Sequence, residues 1–338
     1  MNLVSRRKFL LMSAGTVGLA ALGSRAWAKL AGLKRVERRA HAFGTKVSIT
    51  ALHEREETAA AAIEAALHEL ELVEQVMSLY RPQSHIRELN RTGRLDEPHP
   101  CLVEVLRHAQ RISEQSGGAF DVTVQPLWEL YAAGGRVGGW ADGRIPSAGD
   151  VERARRKVDW QKLDVGPKRI TLAEPGMAVT LNGIAQGYAA DRALAALRAH
   201  GVEHALVDTG EIGTLGRKSG REPWTVGIQH PRRLDAYVQL AKLDGGFLAT
   251  SGDYETTFTP DYVHHHIFDP KTGRSPETLC SVTVLARTGT EADGLATALF
   301  VLGVERGFKL LRRFAGAEAM AVRKDGAVLA TRGFPRNA

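Results

Sequence analysis

Short β-type runs and amphipathic helical stretches follow one another along this chain, and no longer repeat organises them. An extended pattern over residues 45–52 leads into an Ala/Glu-rich stretch, 58–76. There Ile63, Leu67, Leu70 and Val73 recur near helical spacing and predict an amphipathic helix. The next run, Met77-Ser78-Leu79-Tyr80-Arg81-Pro82, is irregular, and Pro82 stops any continued helix. A second helix is expected from about Leu102 to Ser116, ending at Gly117-Gly118. The polar, glycine-rich stretch 134–149 reads as a long surface loop or insertion. Beyond it, β-type runs at 179–181, 205–208, 224–228 and 281–286 alternate with helical stretches near 187–200 and 291–302. Interleaved helices and strands without a low-complexity linker predict an α+β fold, with mixed sheets and packed helices in a single compact unit.

The N-terminus carries a different signal. Ser5-Arg6-Arg7-Lys8-Phe9-Leu10 is followed by an uncharged run through Leu22 and then by Ala26-Trp27-Ala28, a small-x-small cleavage site. This is the order of a twin-arginine export signal. The apolar run is shorter than the ~20 residues needed to span a bilayer, and no later segment of the sequence is long and apolar enough to do so. Residues 1–28 are therefore expected to be a signal peptide, cleaved or retained as an anchor, and 29–338 the folded domain, in the periplasm or on the outer surface. Four of the cations behind the full-chain net charge of +7 lie in the first 28 residues, which hold no acidic side chain; the remainder carries about +3. With aromatics at only 6% and no basic-aromatic ladder, nucleic acid is not an expected partner. The two cysteines, Cys101 and Cys280, lack metal-type spacing; in an oxidising compartment they either pair or stay as buried free thiols.

Several glycine-containing turns share one character, a glycine that permits close backbone approach flanked by polar side chains. Phe43-Gly44-Thr45 taken alone is a turn before a strand. In Ser116-Gly117-Gly118-Ala119-Phe120-Asp121-Val122-Thr123 a helix C-cap explains the glycines but not Asp121 and Thr123. Leu181-Asn182-Gly183-Ile184-Ala185-Gln186-Gly187 places two glycines between a strand pattern and a helix, where helix-start N–H groups can face an anion or simply make a tight turn. Neither G-x-G-x-x-G nor a Walker motif occurs, so the usual phosphate-binding folds are not supported. Asp293 and Thr297, at i and i+4 on a helix opening near Glu291, put a carboxylate and a hydroxyl on one face. Such hard oxygens suit Mg²⁺, although capping and a buried Thr would look the same. On a strand His264 and His266 of the His264-His265-His266 run would share a face, but no Cys or convincing third ligand supports zinc. Thr250-Ser251-Gly252-Asp253-Tyr254 has the composition of a polar turn.

In order and spacing these units resemble the ApbE family of FAD:protein FMN transferases. Those that carry the resemblance are Phe43-Gly44-Thr45, Met77-Ser78-x-Tyr80, Gly118-Ala119-Phe120-Asp121-x-Thr123, the run from Asn182 to Asp191, Thr250 to Tyr254, His266-Ile267-x-Asp269-Pro270-x-Thr272-Gly273 and Ala292-Asp293-x-x-Ala296-Thr297. The resemblance implies Mg²⁺ held by Asp293, Thr297 and the Gly183 carbonyl. It also implies FAD, as substrate, lined by Phe43, Tyr80 and Ala119, Phe120 and Asp121, with Thr180 and Gln186 nearby and His266 near the flavin end. Two departures stand out. Where many members have Asp-Leu-Gly-Gly-Ile-Ala-Lys-Gly, this chain has Thr180-Leu181-Asn182-Gly183-Ile184-Ala185-Gln186-Gly187; where many have Gly-Gly-Asp, it has Thr209-Gly210-Glu211. The Asn-Gly-Ile-Ala-Gln-Gly variant resembles a subgroup that accompanies nitrous oxide reductase maturation.

By this resemblance the expected reaction is Mg²⁺-assisted phosphoryl transfer of FMN from FAD to a Ser or Thr of an exported or membrane acceptor, releasing AMP. His266 and Asp121 are the candidate bases. Compartment suggests an acceptor in a respiratory electron-transfer protein, including one of nitrous oxide reduction. The competing expectations are a periplasmic FAD carrier without turnover, a Mg²⁺-dependent FAD pyrophosphatase using water, and a scaffold with a degenerate site.

Overall fold

The computed structural model describes residues 4–5, 32–133, 145–218 and 222–335. Apart from Val4–Ser5, the expected signal lies outside these residues, as do positions 134–144 of the glycine-rich stretch. In chain order the strands and α-helices are β1 Val4–Ser5, β2 Lys34–Ala42, β3 Thr45–His53, α1 Glu56–Met77, α2 His85–Thr92, β4 Arg94–Asp96, α3 Pro100–Ser116, α4 Gln125–Ala133, α5 Ala148–Arg155, β5 Leu163–Val165, β6 Arg169–Leu172, α6 Ala185–Ala199, β7 His204–Asp208, β8 Ile212–Leu215, β9 Trp224–His230, β10 Arg233–Leu243, β11 Gly246–Gly252, β12 Leu279–Ala286, α7 Gly289–Leu311, β13 Glu318–Arg323 and β14 Val328–Ala330.

An eight-stranded antiparallel sheet, ordered β14-β13-β12-β11-β8-β7-β3-β2, organises the molecule. Both of its faces are covered, and side-chain alternation sorts residues between them. On β13, Ala319 and Ala321 join the main core while Met320 and Val322 face a second cluster. On β12 an irregularity between Leu279 and Ser281 shifts this alternation. Leu279, Val282 and Val284 accordingly meet the main core and Cys280 the second cluster. The second cluster is completed by Trp224, Ile228, Val238, Ala241 and Leu243 from the β1-β10-β9 sheet.

Helices cover the other face. On α1, Ala59, Ala62, Ile63, Ala66, Leu70 and Val73 are buried at helical spacing. The alanines meet a similarly small-faced α6, with Ala189, Ala190 and Ala193 buried. Small side chains allow such helices to approach closely. The excursion between β11 and β12, residues 253–278, packs on α4 and α5 through Phe258, Phe268, Tyr131, Leu127 and Val151.

The expected strand at 179–181 does not form. Val179 instead gives its N–H to Asn90 Oδ1 (2.7 Å) and accepts from Asn90 Nδ2 at its carbonyl (2.8 Å), while Thr180 N–H donates to the Val122 carbonyl (2.8 Å). A side-chain amide and a loop satisfy the groups a neighbouring strand would have taken. The helix expected near 291–302 runs on to Leu311 across a kink at Gly303, whose φ of 74° breaks the helical geometry. Part of the expected loop 134–149 is helical, because Ser147 caps α5 by accepting from Asp150 N–H. Cys101 and Cys280 are both buried free thiols.

Candidate active site

Two helix starts meet at one point. Gly187 in the first turn of α6 lies so close to Gly289 at the start of α7 that a Cβ on Gly187 would sit 2.1 Å from the Gly289 carbonyl oxygen. Each helix supplies the other's capping group. Gly187 N–H donates to Asp293 Oδ2 (3.0 Å). Asp191 of α6 in turn accepts from the Gly289 N–H (2.7 Å), the Thr290 N–H (2.8 Å) and the Thr290 hydroxyl (2.6 Å). Carboxylates at helix N-termini satisfy orphan donors and complement the macrodipole. The helix-start N–H expected to face an anion therefore faces the chain's own Asp293.

The turn before α6 brings in the remaining donors. A Cβ on Gly183 would lie 2.8 Å from Thr297 Oγ1 and 3.5 Å from the Phe120 ring, so only glycine lets this backbone lie against the Thr297 hydroxyl. The Thr297 hydroxyl also meets Ser251 Oγ at 3.0 Å. Asp293 is 4% exposed, and burial pushes its carboxyl up to about 7, against the lowering effect of the Gly187 N–H. Gly183 thus lies against Thr297, with Asp293 one helical turn away on α7. Among the described residues no group of three or more His, Cys, Asp or Glu could hold a metal ion. A buried carboxylate one helical turn from a hydroxyl is a hard-oxygen pair that fits Mg²⁺.

Phe120 and Thr180 stand beside this cluster, Phe120 against Gly183 and Thr180 bonded to Val122. Ala119, Phe120 and Asp121 are all buried. Both Asp121 oxygens are engaged: Oδ1 accepts from the Thr123 N–H (2.8 Å) and hydroxyl (2.6 Å), Oδ2 from the Trp160 N–H (3.1 Å). Burial nevertheless pushes Asp121 up to about 6. Gln186 turns toward the β7–β8 connection, where its Nε2 donates to the Thr209 carbonyl (3.0 Å). Phe43 is the first residue of the two-residue turn between β2 and β3 and has φ 53°, followed by Gly44 at 72°. A bulky residue in that region is strained, at a cost of roughly 1–3 kcal/mol. Tyr80 is 75% exposed on the run after α1, a large aromatic presented to solvent.

The histidine run does not form a regular strand; it belongs to the 253–278 excursion and makes one isolated bridge, Thr257 to His265. His265 is fully buried, edge-on to Phe300, and burial lowers it to about 3. The partly buried His266 has Nδ1 3.1 Å from the Thr256 carbonyl. A carbonyl can only accept, so Nδ1 carries the proton and Nε2 keeps a lone pair. Burial lowers the His266 pKa, outweighing the Thr256 carbonyl and Asp253, so the ring is neutral at pH 7. Asp253, completely buried at the end of β11, is gripped by Arg232 through two 2.7 Å hydrogen bonds. The 250–254 motif is thus the end of β11 followed by a turn at Asp253-Tyr254, held by an ion pair. No hydrogen bond joins Asp121 to His266 or either of them to Asp293.

Asp191, which closes the Asn182–Asp191 unit, is a structural residue of the site that its local sequence does not reveal. Its pairing with the Gly289 and Thr290 N–H groups spans 98 and 99 positions, a distance no local pattern reports.

An α+β core in which a buried carboxylate, a hydroxyl and close-packed glycine backbone gather where two helix N-termini meet defines the candidate site. Residues 43–321 match the ApbE family, and the chain belongs to that family. An FAD:protein FMN transferase of Treponema pallidum is 33% identical over 303 residues, covering 81% of this chain and 82% of the relative. One from Salmonella typhimurium is 31% identical, with 76% and 75% covered. Among solved structures, the ApbE protein of Thermotoga maritima superposes with TM-score 0.80 at 31% identity, over 90% of this chain and all of that one. The apo flavinyl transferase ApbE of Pseudomonas stutzeri gives 0.76 at 29%, over 89% and 95%.

Proposed function

We propose that this chain moves FMN from FAD to a Ser or Thr hydroxyl of an exported or membrane acceptor protein, with Mg²⁺ held by Asp293, Thr297 and the Gly183 carbonyl. The observation that carries the reading is the convergence of those three, from two elements 106 positions apart in the Gly187–Asp293 contact, on a site that only glycine backbones allow. When bound, the ion neutralises charge that builds on the phosphate oxygens.

The chain's own groups supply the rest. The acceptor oxygen forms a bond to the FMN phosphorus, the bond from that phosphorus to the AMP oxygen breaks, and AMP leaves. His266 is the base of choice: among the described residues no donor meets its Nε2, whose lone pair can take the hydroxyl proton, whereas both Asp121 oxygens already accept hydrogen bonds. Asp121 instead fixes the 119–123 segment that flanks the site. Phe43 and Tyr80 offer aromatic surface for the flavin or adenine ring. The paired arginines and small-x-small site support export by the twin-arginine route and a periplasmic acceptor, which we read as a respiratory electron-transfer protein.

AMP release measured with FAD and Mg²⁺, with and without an acceptor, tests the reaction. Acceptor-dependent AMP supports transfer. AMP at the same rate without acceptor would replace transfer with hydrolysis, and none under either condition would leave a carrier.

A further inference from the structure

We propose that Glu211 is a second anionic partner of the cation held at Asp293; the inference rests on the Mg²⁺ reading above and extends it to a residue outside the expected ligand set. Glu211, in the connection between β7 and β8, is 8% exposed. Its Oε2 accepts one hydrogen bond, from Thr250 N–H at 3.1 Å, and no donor among the described residues reaches Oε1. Asp293 is in the same condition: Oδ2 takes the Gly187 N–H, and Oδ1 has no donor among the described residues.

Thr250 places the two carboxylates on one site, since the next residue on β11, Ser251, meets the Thr297 hydroxyl one helical turn from Asp293. The charges felt by Glu211 are all of its own sign, Asp293 first and then Asp208 and Glu255. Among the described residues neither Glu211 nor Asp293 has an ion-pair partner. Two buried carboxylates within Coulombic reach of each other are costly to ionise together, and a divalent ion shared by them offsets that cost.

The turn that carries Glu211 is built to hold it there. Thr209 N–H donates to the Glu211 carbonyl (3.0 Å), the Thr209 hydroxyl reaches the same carbonyl (3.1 Å), and Gln186 Nε2 donates to the Thr209 carbonyl. Gly210, at φ 97°, leaves room for the Gln186 head, which a Cβ would approach to 2.6 Å. The two departures from the commoner family pattern, at Gln186 and at Thr209-Gly210-Glu211, are therefore in contact with one another and act on one carboxylate.

Mn²⁺ and Mg²⁺ titration of the metal-freed full chain by calorimetry, beside thermal unfolding in chelator, tests this with Glu211→Gln, Glu211→Asp and Asp293→Asn. Gln keeps the shape and the Thr250 acceptor but removes the charge. The expected result is affinity at least about tenfold weaker for Glu211→Gln, an unfolding temperature in chelator no lower than wild type, and affinity partly restored in Glu211→Asp. Loss of affinity in Asp293→Asn with wild-type affinity in Glu211→Gln would overturn the role of Glu211 and leave the Mg²⁺ reading standing. Wild-type affinity in both would overturn both. Weaker binding in Glu211→Gln with equally lowered stability in chelator, and no restoration by Asp, would reduce Glu211 to a packing residue and overturn the inference.

Discussion

Gly187→Ala puts the meeting of α6 and α7 to a direct test, because two opposing effects of known size act on it. Alanine is the better helix former by about 1 kcal/mol in a helix interior, so propensity alone predicts stabilisation. The added Cβ, however, would lie 2.1 Å from the Gly289 carbonyl oxygen, 2.5 Å from its carbon and 2.7 Å from Asp293 Cβ, where ordinary contact begins at 3.4 Å. None of these atoms is the end of a flexible chain, so the helices must part by about 1 Å. Overpacking of this kind costs about 1–3 kcal/mol. Loss of the Gly187 N–H bond to a buried carboxylate adds about 1–3 kcal/mol. The net expectation is destabilisation by about 1–5 kcal/mol, a fall in Tm of roughly 2–8 °C for a chain of this size, read by calorimetry in chelator. A Tm equal to or above wild type would refute the close approach of the two helix starts.

Three further outcomes are expected. Gly183→Ala should weaken Mg²⁺ binding about tenfold or more by calorimetry with a smaller loss of Tm than Gly187→Ala, since the one contact of its Cβ under 3.0 Å is with a side-chain hydroxyl, that of Thr297, and not with backbone. His266→Gln should lower acceptor-dependent AMP release by about 10²–10⁴-fold with FAD affinity nearly unchanged by fluorescence titration. The third concerns pH. His265 is held neutral, at about 3 in the fold against an ordinary 6.5. Below 6.5 the unfolded chain takes up a proton that the folded chain refuses, so stability falls from pH 6.5 toward about 3 and is flat for this group above 6.5. Urea unfolding of His265→Phe should show a shallower acid slope over that window.

How far the sequence disclosed this depended on whether the signal was local. The first helix was readable because its apolar positions recur every three or four residues, and β3 because its extended run is bounded by turns. The 179–181 run has β composition, yet Asn90, 89 positions away, takes both backbone groups of Val179; no pattern within the run reports that. The helix α2 (His85–Thr92) was hidden because it is short and polar, held by the Ser84 cap and closed by Gly93 at φ 73°. At the site, Asp293 and Thr297 were legible from i, i+4 spacing. Their partners were not, since Gly187 lies 106 and Ser251 46 positions from the atoms they meet. Gln186, expected near FAD, donates to the Thr209 carbonyl, a contact visible only once β7 is folded beside α6.

Covalent attachment is the central claim, and mass spectrometry of a candidate periplasmic acceptor reads it directly. After incubation with this chain, FAD and Mg²⁺, the acceptor should gain one FMN on a Ser or Thr, and the gain should vanish with Asp293→Ala in place of wild type. An FMN adduct formed equally well by Asp293→Ala, or FAD consumed to free FMN and AMP with no adduct on any acceptor, would contradict it.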